Sequence, residues 1–545
     1  MFRQYLLLCG LLFAATTLSA QTDLEDNSVT VVSNFEARLT EATRVRVTGT
    51  TPPADTSRRR QQYRVVDRPI AIEYPAPIIR PRGVTKDKVP PNKNGFASVG
   101  IGLPGALYGD LSYDLSSVDN AELGIFARHH SFNNDNKVEN RKSSDTEFGL
   151  EGTYLFDQGF AVGGGAKYTS QSRYYYGYNF PEVETDSIPS FTDDQVRQRF
   201  NIFDVNAEIF NGVRTEADFD YKAGVALYLM DGNPSVRETG VDLTVQATKW
   251  ISDKQPLDFK LRTDFTTYKD TATQQLNNIY FSPSYTTSIA GRYRLKLGLN
   301  LTSQDDDFDV FPDISIAAPI IDGLLSAFAG AEGSLQKNNL RSLSEYNPWI
   351  RPRIRRIRNS EYLRIYGGVE GTISGIAYRA EASYTDLDNL ATYQLDRRVA
   401  LPQFQVTYDD GSVFTIQGSG TMTVLKSLKI NAKIAQRFYS LENQEKAWHL
   451  PSFTLNGGAN YLLEKQNITL GADLYLENGL PYQDAEGNAQ TLSPLIDLNL
   501  NGEYALSDNF SAWLRVNNLL GNNRERFVQY PTIGLNLLVG VSAKF

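Results

Sequence analysis

The sequence predicts an all-β protein: a large, closed, antiparallel transmembrane β-barrel of about 22 strands in an up-and-down meander. Three observations predict it. An export leader is followed by no apolar run long enough for a membrane helix. From Gly95 to Phe545, apolar and polar residues alternate with a period of two. The connections between these stretches alternate between short and long.

The chain of 545 residues opens MFRQYLLLCGLLFAATTLSAQ. Arg3, the apolar run from Leu6 to Ala15 and the small residues up to Ala20 read as a signal peptide over 1–20. The sole cysteine, Cys9, lies inside it, so the exported chain has no disulfide and no catalytic thiol. The longest later candidate for a helical anchor, APIIDGLLSAFAGA at 318–331, is short and broken by Asp322 and glycines. A mean hydropathy of −0.36 argues against a helical membrane protein. It suits a barrel, in which half of each strand faces a wet lumen. The formal net charge of −9 argues against nucleic acid as a partner.

Residues 21–94 differ from the rest of the chain. TPPADTSRRRQQYRV and YPAPIIRPRGVTKDKVPPNKN are rich in proline and basic residues and lack periodicity. They predict an extended periplasmic segment. Arg58, Arg59 and Arg60 read either as a solvated run or as a contact for an anionic surface.

The barrel is predicted over 95–545. In SLKINAKIAQRFY, Leu428, Ile430, Ala432, Ile434 and Phe438 share one face, and Lys429, Asn431, Lys433 and Arg437 the other. NITLGADLYLEN sets Ile468, Leu470, Ala472, Leu474 and Leu476 against Thr469, Gly471, Asp473, Tyr475 and Glu477. The final stretch, TIGLNLLVGVSAKF, aligns Ile533, Leu535, Leu537, Val539, Val541, Ala543 and Phe545. Tight joints fall near 118, 157, 213, 253, 287, 320, 372, 425, 464 and 507. Long polar connections fall at 133–144, 181–195, 336–358, 441–448, 477–490 and 517–531. Short periplasmic turns and long outer loops predict this alternation, and a soluble sandwich does not. Spread over 22 strands, residues 95–545 leave roughly 20 per strand and connection, room for a span of about 10. The stretch 386–410 reads as an outer hairpin or as two more wall strands. Such a sheet must close, because an open edge in lipid leaves polar backbone groups without partners. The last strand is therefore expected to pair with GFASVGIGL at 95–103. Tyr285, Tyr293, Tyr366, Tyr439 and Tyr475 are candidates for an interfacial girdle or for the lumen.

The run FSAWLRVNNLLGNNRERFVQYPTIGLNLLVGVSAKF (510–545) resembles the last two strands of TonB-dependent receptors. It carries Val516-Asn517-Asn518-Leu519-Leu520 where that family has V-x-N-L-F/L, and it ends on an aromatic residue, Phe545. The resemblance covers 95–545 in architecture and 510–545 in motif. It implies an outer-membrane location, contact with outer-membrane lipid, and recognition of Phe545 by the barrel assembly machinery. The family carries a folded plug domain before its barrel. Here only 21–94 precede it, so the chain is similar to plugless receptor-like barrels of the Bacteroidetes. VTVV at 29–32 has the look of the segment that recruits the energising protein TonB.

Candidate sites are few. RPRIRRIR at 351–358 sets Arg351, Arg353 and Arg355 on one face of an extended segment, and Arg356 and Arg358 on the other. It reads as an anion- or solute-binding rim, or as a solvated loop base. Asp305, Asp306, Asp307 and Asp309 are a weak calcium candidate, dense in hard oxygen ligands but without the spacing of a calcium loop. His129, His130 and His449 lack an evident third ligand. Ser131 and His130 point to opposite faces of a strand, and no G-x-S-x-G or H-E-x-x-H motif occurs. The chain is expected to be no enzyme and to need no cofactor. Transport of small solutes is the leading expectation. The alternative is a non-catalytic structural or assembly subunit that holds a periplasmic or envelope protein through 21–94. A lumen this wide must be filled. The candidates are the loops 336–360 and 386–410, the 21–94 segment, or a partner.

Overall fold

The computed structural model describes residues 93–115, 120–182, 189–212, 217–233, 235–252, 254–304 and 307–545. The signal peptide, VTVV, Arg58 to Arg60 and nearly all of the 21–94 segment lie outside the described residues, as do Asp305 and Asp306.

Among the described residues, 22 strands form one sheet in which each pairs with its neighbours in sequence. Every pairing in this wall is antiparallel. The ring closes between the first strand, Gly95–Leu103, and the last, Asn536–Lys544, from Phe96 opposite Lys544 to Leu103 opposite Leu537. The Gly95 N–H donates to the Phe545 carbonyl at 2.7 Å, and the Phe545 N–H returns the bond at 2.9 Å. No edge is left to pair with another chain.

Ten connections share the end that holds Gly95 and Phe545, among them 156–159, 322–324, 374–375 and 506–509. The joints predicted as tight are these ten. Those placed near 287, 320 and 372 lie inside the strands Thr273–Ile289, Asp307–Ile321 and Ser360–Ile373, which turn at 290–292, 322–324 and 374–375. The opposite end carries the long loops, 175–196, 337–359, 442–452, 479–494 and 518–535. The alternation is not strict, since 104–105 and 270–272 are short turns at that same end. The stretch 386–410 is neither an extra strand pair nor a separate hairpin. It is the upper half of two tall wall strands, Ile376–Leu395 and Phe404–Leu425, of 20 and 22 residues.

The wall is apolar outside. Val99, Ile101, Val539 and Val541 are exposed across the seam, and Ile434, Phe438 and Leu470 are exposed as their alternation predicts. Phe148, Tyr168 and Phe203 pair across three strands on this face, as do Tyr384, Phe414 and Phe438. All six are exposed. Such rows are the girdles of a barrel at the lipid–water boundary. Of the tyrosines named as girdle candidates, Tyr285 and Tyr293 share this face, in register with exposed Leu297 and Ile289. Tyr366, Tyr439 and Tyr475 face inward; the Arg364 guanidinium lies 4.5 Å from the Tyr366 ring centre. The lumen is charged. Arg364 pairs with Glu332 at 2.6 Å and with Glu381, while Arg379 pairs with Glu381 at 3.0 Å.

Inside the seam, the Trp513 indole lies flat over Gly100 and Gly540, where any side chain would overlap its ring. Its Nε1–H donates to Ser98 Oγ at 2.9 Å. Phe545 lies outside, over Gly95 and 6.1 Å from the Tyr113 ring, with which it stacks.

Candidate functional site

The long loops do not stand out into solvent. They fold together over the mouth and share one apolar cluster with the upper lumenal wall. The loop 337–359 forms the centre of this cap. Its helix, Leu340–Tyr346, starts at Asn339, whose side chain accepts from the Ser342 N–H at 3.0 Å while Ser342 Oγ accepts from the Asn339 N–H at 3.1 Å. Two more of the free N–H groups of the first turn find a partner on the wall. Leu340 and Arg341 donate to the two carboxylate oxygens of Glu238, at 2.7 and 3.2 Å. Tyr228 completes the joint, donating to Glu238 at 2.9 Å and accepting from Asn339 at 2.7 Å. Its ring lies over Gly240, where a side chain would overlap it.

Two ion pairs flank this joint. Arg341 reaches Asp204 at 2.6 and 3.2 Å, and Lys337 reaches Asp264 Oδ1 at 2.6 Å. Asp264 is only 1% exposed. Its other oxygen, Oδ2, has no hydrogen-bond donor, and the nearest cation, Arg262, stands 3.6 Å away. A cavity of about 410 Å³ runs from here into the lumen, lined by Asp204, Asn206, Asp242, Asp264, Lys337 and Arg341 among others.

The rest of the cap is knotted around His449, which is 1% exposed. Its Nδ1 lies 2.8 Å from the Tyr393 carbonyl, and its Nε2 accepts from the Val528 N–H at 3.3 Å. Its own N–H donates to the Pro481 carbonyl, and its carbonyl accepts from the Tyr346 hydroxyl. One residue thus joins four other elements of the cap. Phe527 stacks on its ring, and Trp349 stacks on Tyr530 with ring centres 4.3 Å apart. Burial pushes the imidazole down to about 4, and the nearby Arg526 and Arg397 charges act in the same direction. His449 is therefore neutral, with Nδ1 carrying the proton.

The arginine run crosses the top of the cap as a strap without secondary structure. Arg351 N–H donates to the Phe404 carbonyl on one side of the mouth. Tyr268 holds Pro352 and Ile354 on another, and Gln274 holds Ile354 and Ile357. The expected split of arginines between two faces is corrected. Ile354 and Ile357 turn down into the core. Arg353, Arg355 and Arg356 all point out, exposed, their guanidinium groups unpaired among the described residues. Arg351 leans on Asp396 at 3.6 Å, and Arg358 donates to Asn389.

The other candidates do not converge. Asp307 and Asp309 lie on a wall strand, and among the described residues no three His, Cys, Asp or Glu side chains are grouped to hold a metal ion. His129 bonds Thr146 Oγ1, and His130 meets the edge of the Tyr108 ring. Sequence reasoning did not single out Asp204, Tyr228, Glu238, Gly240 and Asp264. The available signal was a set of acidic residues at inward positions on nearby strands, with a glycine as a tyrosine's register partner.

Wall, wet interior and self-made cap define a transmembrane β-barrel closed at one mouth by its own loops. Solved structures with a similar wall include an outer-membrane receptor, an iron transporter and an import receptor. The pyoverdine receptor FpvA of Pseudomonas aeruginosa PAO1 matches at 10% identity over 83% of this chain and 79% of that chain, with a TM-score of 0.63. The iron transporter FrpB of Neisseria meningitidis matches at 10% identity over 83% and 81%, TM-score 0.64. The ferric-catecholate import receptor Fiu of E. coli K12 matches at 10% identity over 83% and 82%, TM-score 0.64. Likeness at this identity is one of fold. No protein-family model and no curated protein sequence matches the chain.

Proposed function

We propose that the protein is a transport barrel of the outer membrane, related in architecture to TonB-dependent receptors, in which the loop cap is a displaceable closure over the lumen. The observation that carries this reading is the cap itself. A wall of 22 strands encloses a wide space, and the 337–359 loop is held in its mouth by polar joints rather than by continuous packing alone. Polar joints can be taken over by another polar or charged group, which apolar packing alone does not allow. The similarity of the wall to receptors described with pyoverdine and ferric catecholates supports passage of small solutes. On this reading the chain is of the plugless Bacteroidetes type, with the loop cap in the role of a plug. Phe545 is the residue read by the barrel assembly machinery. Arg353, Arg355 and Arg356 form an outward rim that draws anions, whether solutes or lipid phosphates.

Single-channel conductance of the purified chain in a planar bilayer tests the reading. The intact protein is expected to be closed most of the time. Replacing 338–358 by a short glycine-serine linker is expected to open a steady, large conductance. A variant that conducts no better than the intact protein favours the other role, a sealed structural subunit of the envelope.

A further inference from the structure

Opening the cap has an electrostatic consequence. The loop supplies the shortest partner of each member of a lumenal carboxylate cradle: Arg341 to Asp204, the Leu340 and Arg341 N–H groups to Glu238, and Lys337 to Asp264. Glu238 and Asp264 are almost wholly buried. Withdrawing the loop leaves Glu238 with only the Tyr228 hydroxyl and Asp264 with only Thr266 and Arg262, at 3.3 and 3.6 Å, and a carboxylate that loses its cation is costly to keep charged. The cap therefore opens readily only if something cationic takes the loop's place.

The cradle has room for it. The cavity of about 410 Å³ brings the lumen to Asp204, Asp242 and Asp264. Asp264 is part of its lining, and its Oδ2 has no hydrogen-bond donor. Lys337 and Arg341 are four residues apart and enter the cradle from its upper side. They present an ammonium and a guanidinium together, each lying against the Tyr228 ring at 5.6 and 4.9 Å.

We infer that the cradle of Asp204, Glu238 and Asp264 is a binding site for solutes bearing two or more amine or guanidinium groups, and that the loop's Lys337 and Arg341 occupy it as an internal mimic. A polyamine or cationic peptide in the lumen competes with them and releases the helix Leu340–Tyr346. The inference rests on the reading of the loop as a displaceable closure, and it adds the chemical class that displaces it.

Spermine is a suitable probe. Titration calorimetry on the full chain in detergent is expected to show spermine binding that weakens about tenfold or more in Asp264→Asn and tightens about tenfold in the Lys337→Met, Arg341→Met double variant. Equal binding by all three proteins overturns the proposal, since spermine then sits elsewhere. Hydrogen exchange on the unaltered protein covers the case of a variant that does not fold. Saturating spermine is expected to speed exchange of the Leu340 and Arg341 amides, and unchanged exchange overturns the proposal. The two readings fail separately: a linker variant that conducts while spermine leaves the cap closed removes only this inference, and spermine binding without conductance removes only transport.

Discussion

At position 240 nothing larger than glycine lets wall and cap meet. The Tyr228 ring must lie down across this residue for its hydroxyl to reach both Glu238 and Asn339. Gly240→Ala puts a methyl where the ring is, and the ring must lift. The expected cost is about 1–3 kcal/mol, as for other overpacked sites. It should appear as faster hydrogen exchange at the Leu340 and Arg341 amides, with the barrel's own melting little changed. A variant with unaltered exchange would show that the tyrosine joint does not hold the helix. The residue-level pattern was half legible. Alternation places Asp204, Glu238 and Asp264 on the wet face. It does not say that a loop a hundred residues later in the chain returns to satisfy Glu238, because that pairing depends on where the loop lands.

Elements of the cap depend on one another through His449. With Nδ1–H directed at the Tyr393 carbonyl, Nε2 is the acceptor for the Val528 N–H. A proton added at Nε2 turns that acceptor into a second donor and sets two N–H groups face to face. The groups packed around it offer no relief, since Tyr346 and Tyr393 are neutral phenols and Arg526 and Arg397 are cations. The imidazole titrates near 4 in the closed cap and near 6.5 once released. The released form therefore binds the extra proton between those values. Stability of the closed cap is full above pH ~6.5 and falls as pH drops toward ~4. Open-channel probability measured from pH 7 to pH 4 is expected to rise across this window, and His449→Phe is expected to flatten the response. A pH-independent closure in the intact protein would contradict the assignment. The turns and loops show why elements were unequally readable. Tight turns follow from local glycine, asparagine and aspartate chemistry, which is why 464–467 and 506–509 were found. The strap at 351–358 follows no regular period. Ile354 and Ile357 are three apart and both point down, so a period-two reading misassigned Arg356, which points out with Arg353 and Arg355.

For the whole molecule, the number of strands, the direction of the meander and the partner of the last strand were all legible, because a two-residue rhythm and the need to leave no edge admit few solutions. The fate of the lumen was not, since it is settled by convergence of five loops that share no local signal. The tyrosines mark the same limit. Tyrosine suits a boundary row and a wet interior equally, so Tyr293 and Tyr475 had to be placed by their neighbours.

The indole at position 513 lends itself to watching the protein assemble. Its bed is supplied by Gly540 beside it and by Gly100 and Ser98 from the opposite end of the barrel sequence, so the bed exists only once the two termini of the wall have met. In a chain keeping Trp513 as its one tryptophan, with Trp250, Trp349 and Trp448 changed to Phe, fluorescence should stay unchanged while strands insert into vesicles. It should then shift in a single late phase as the ring completes; a shift that tracks the first secondary structure would mean the indole finds its place without the first strand. The protein thus carries an optical clock for the last event of its own folding.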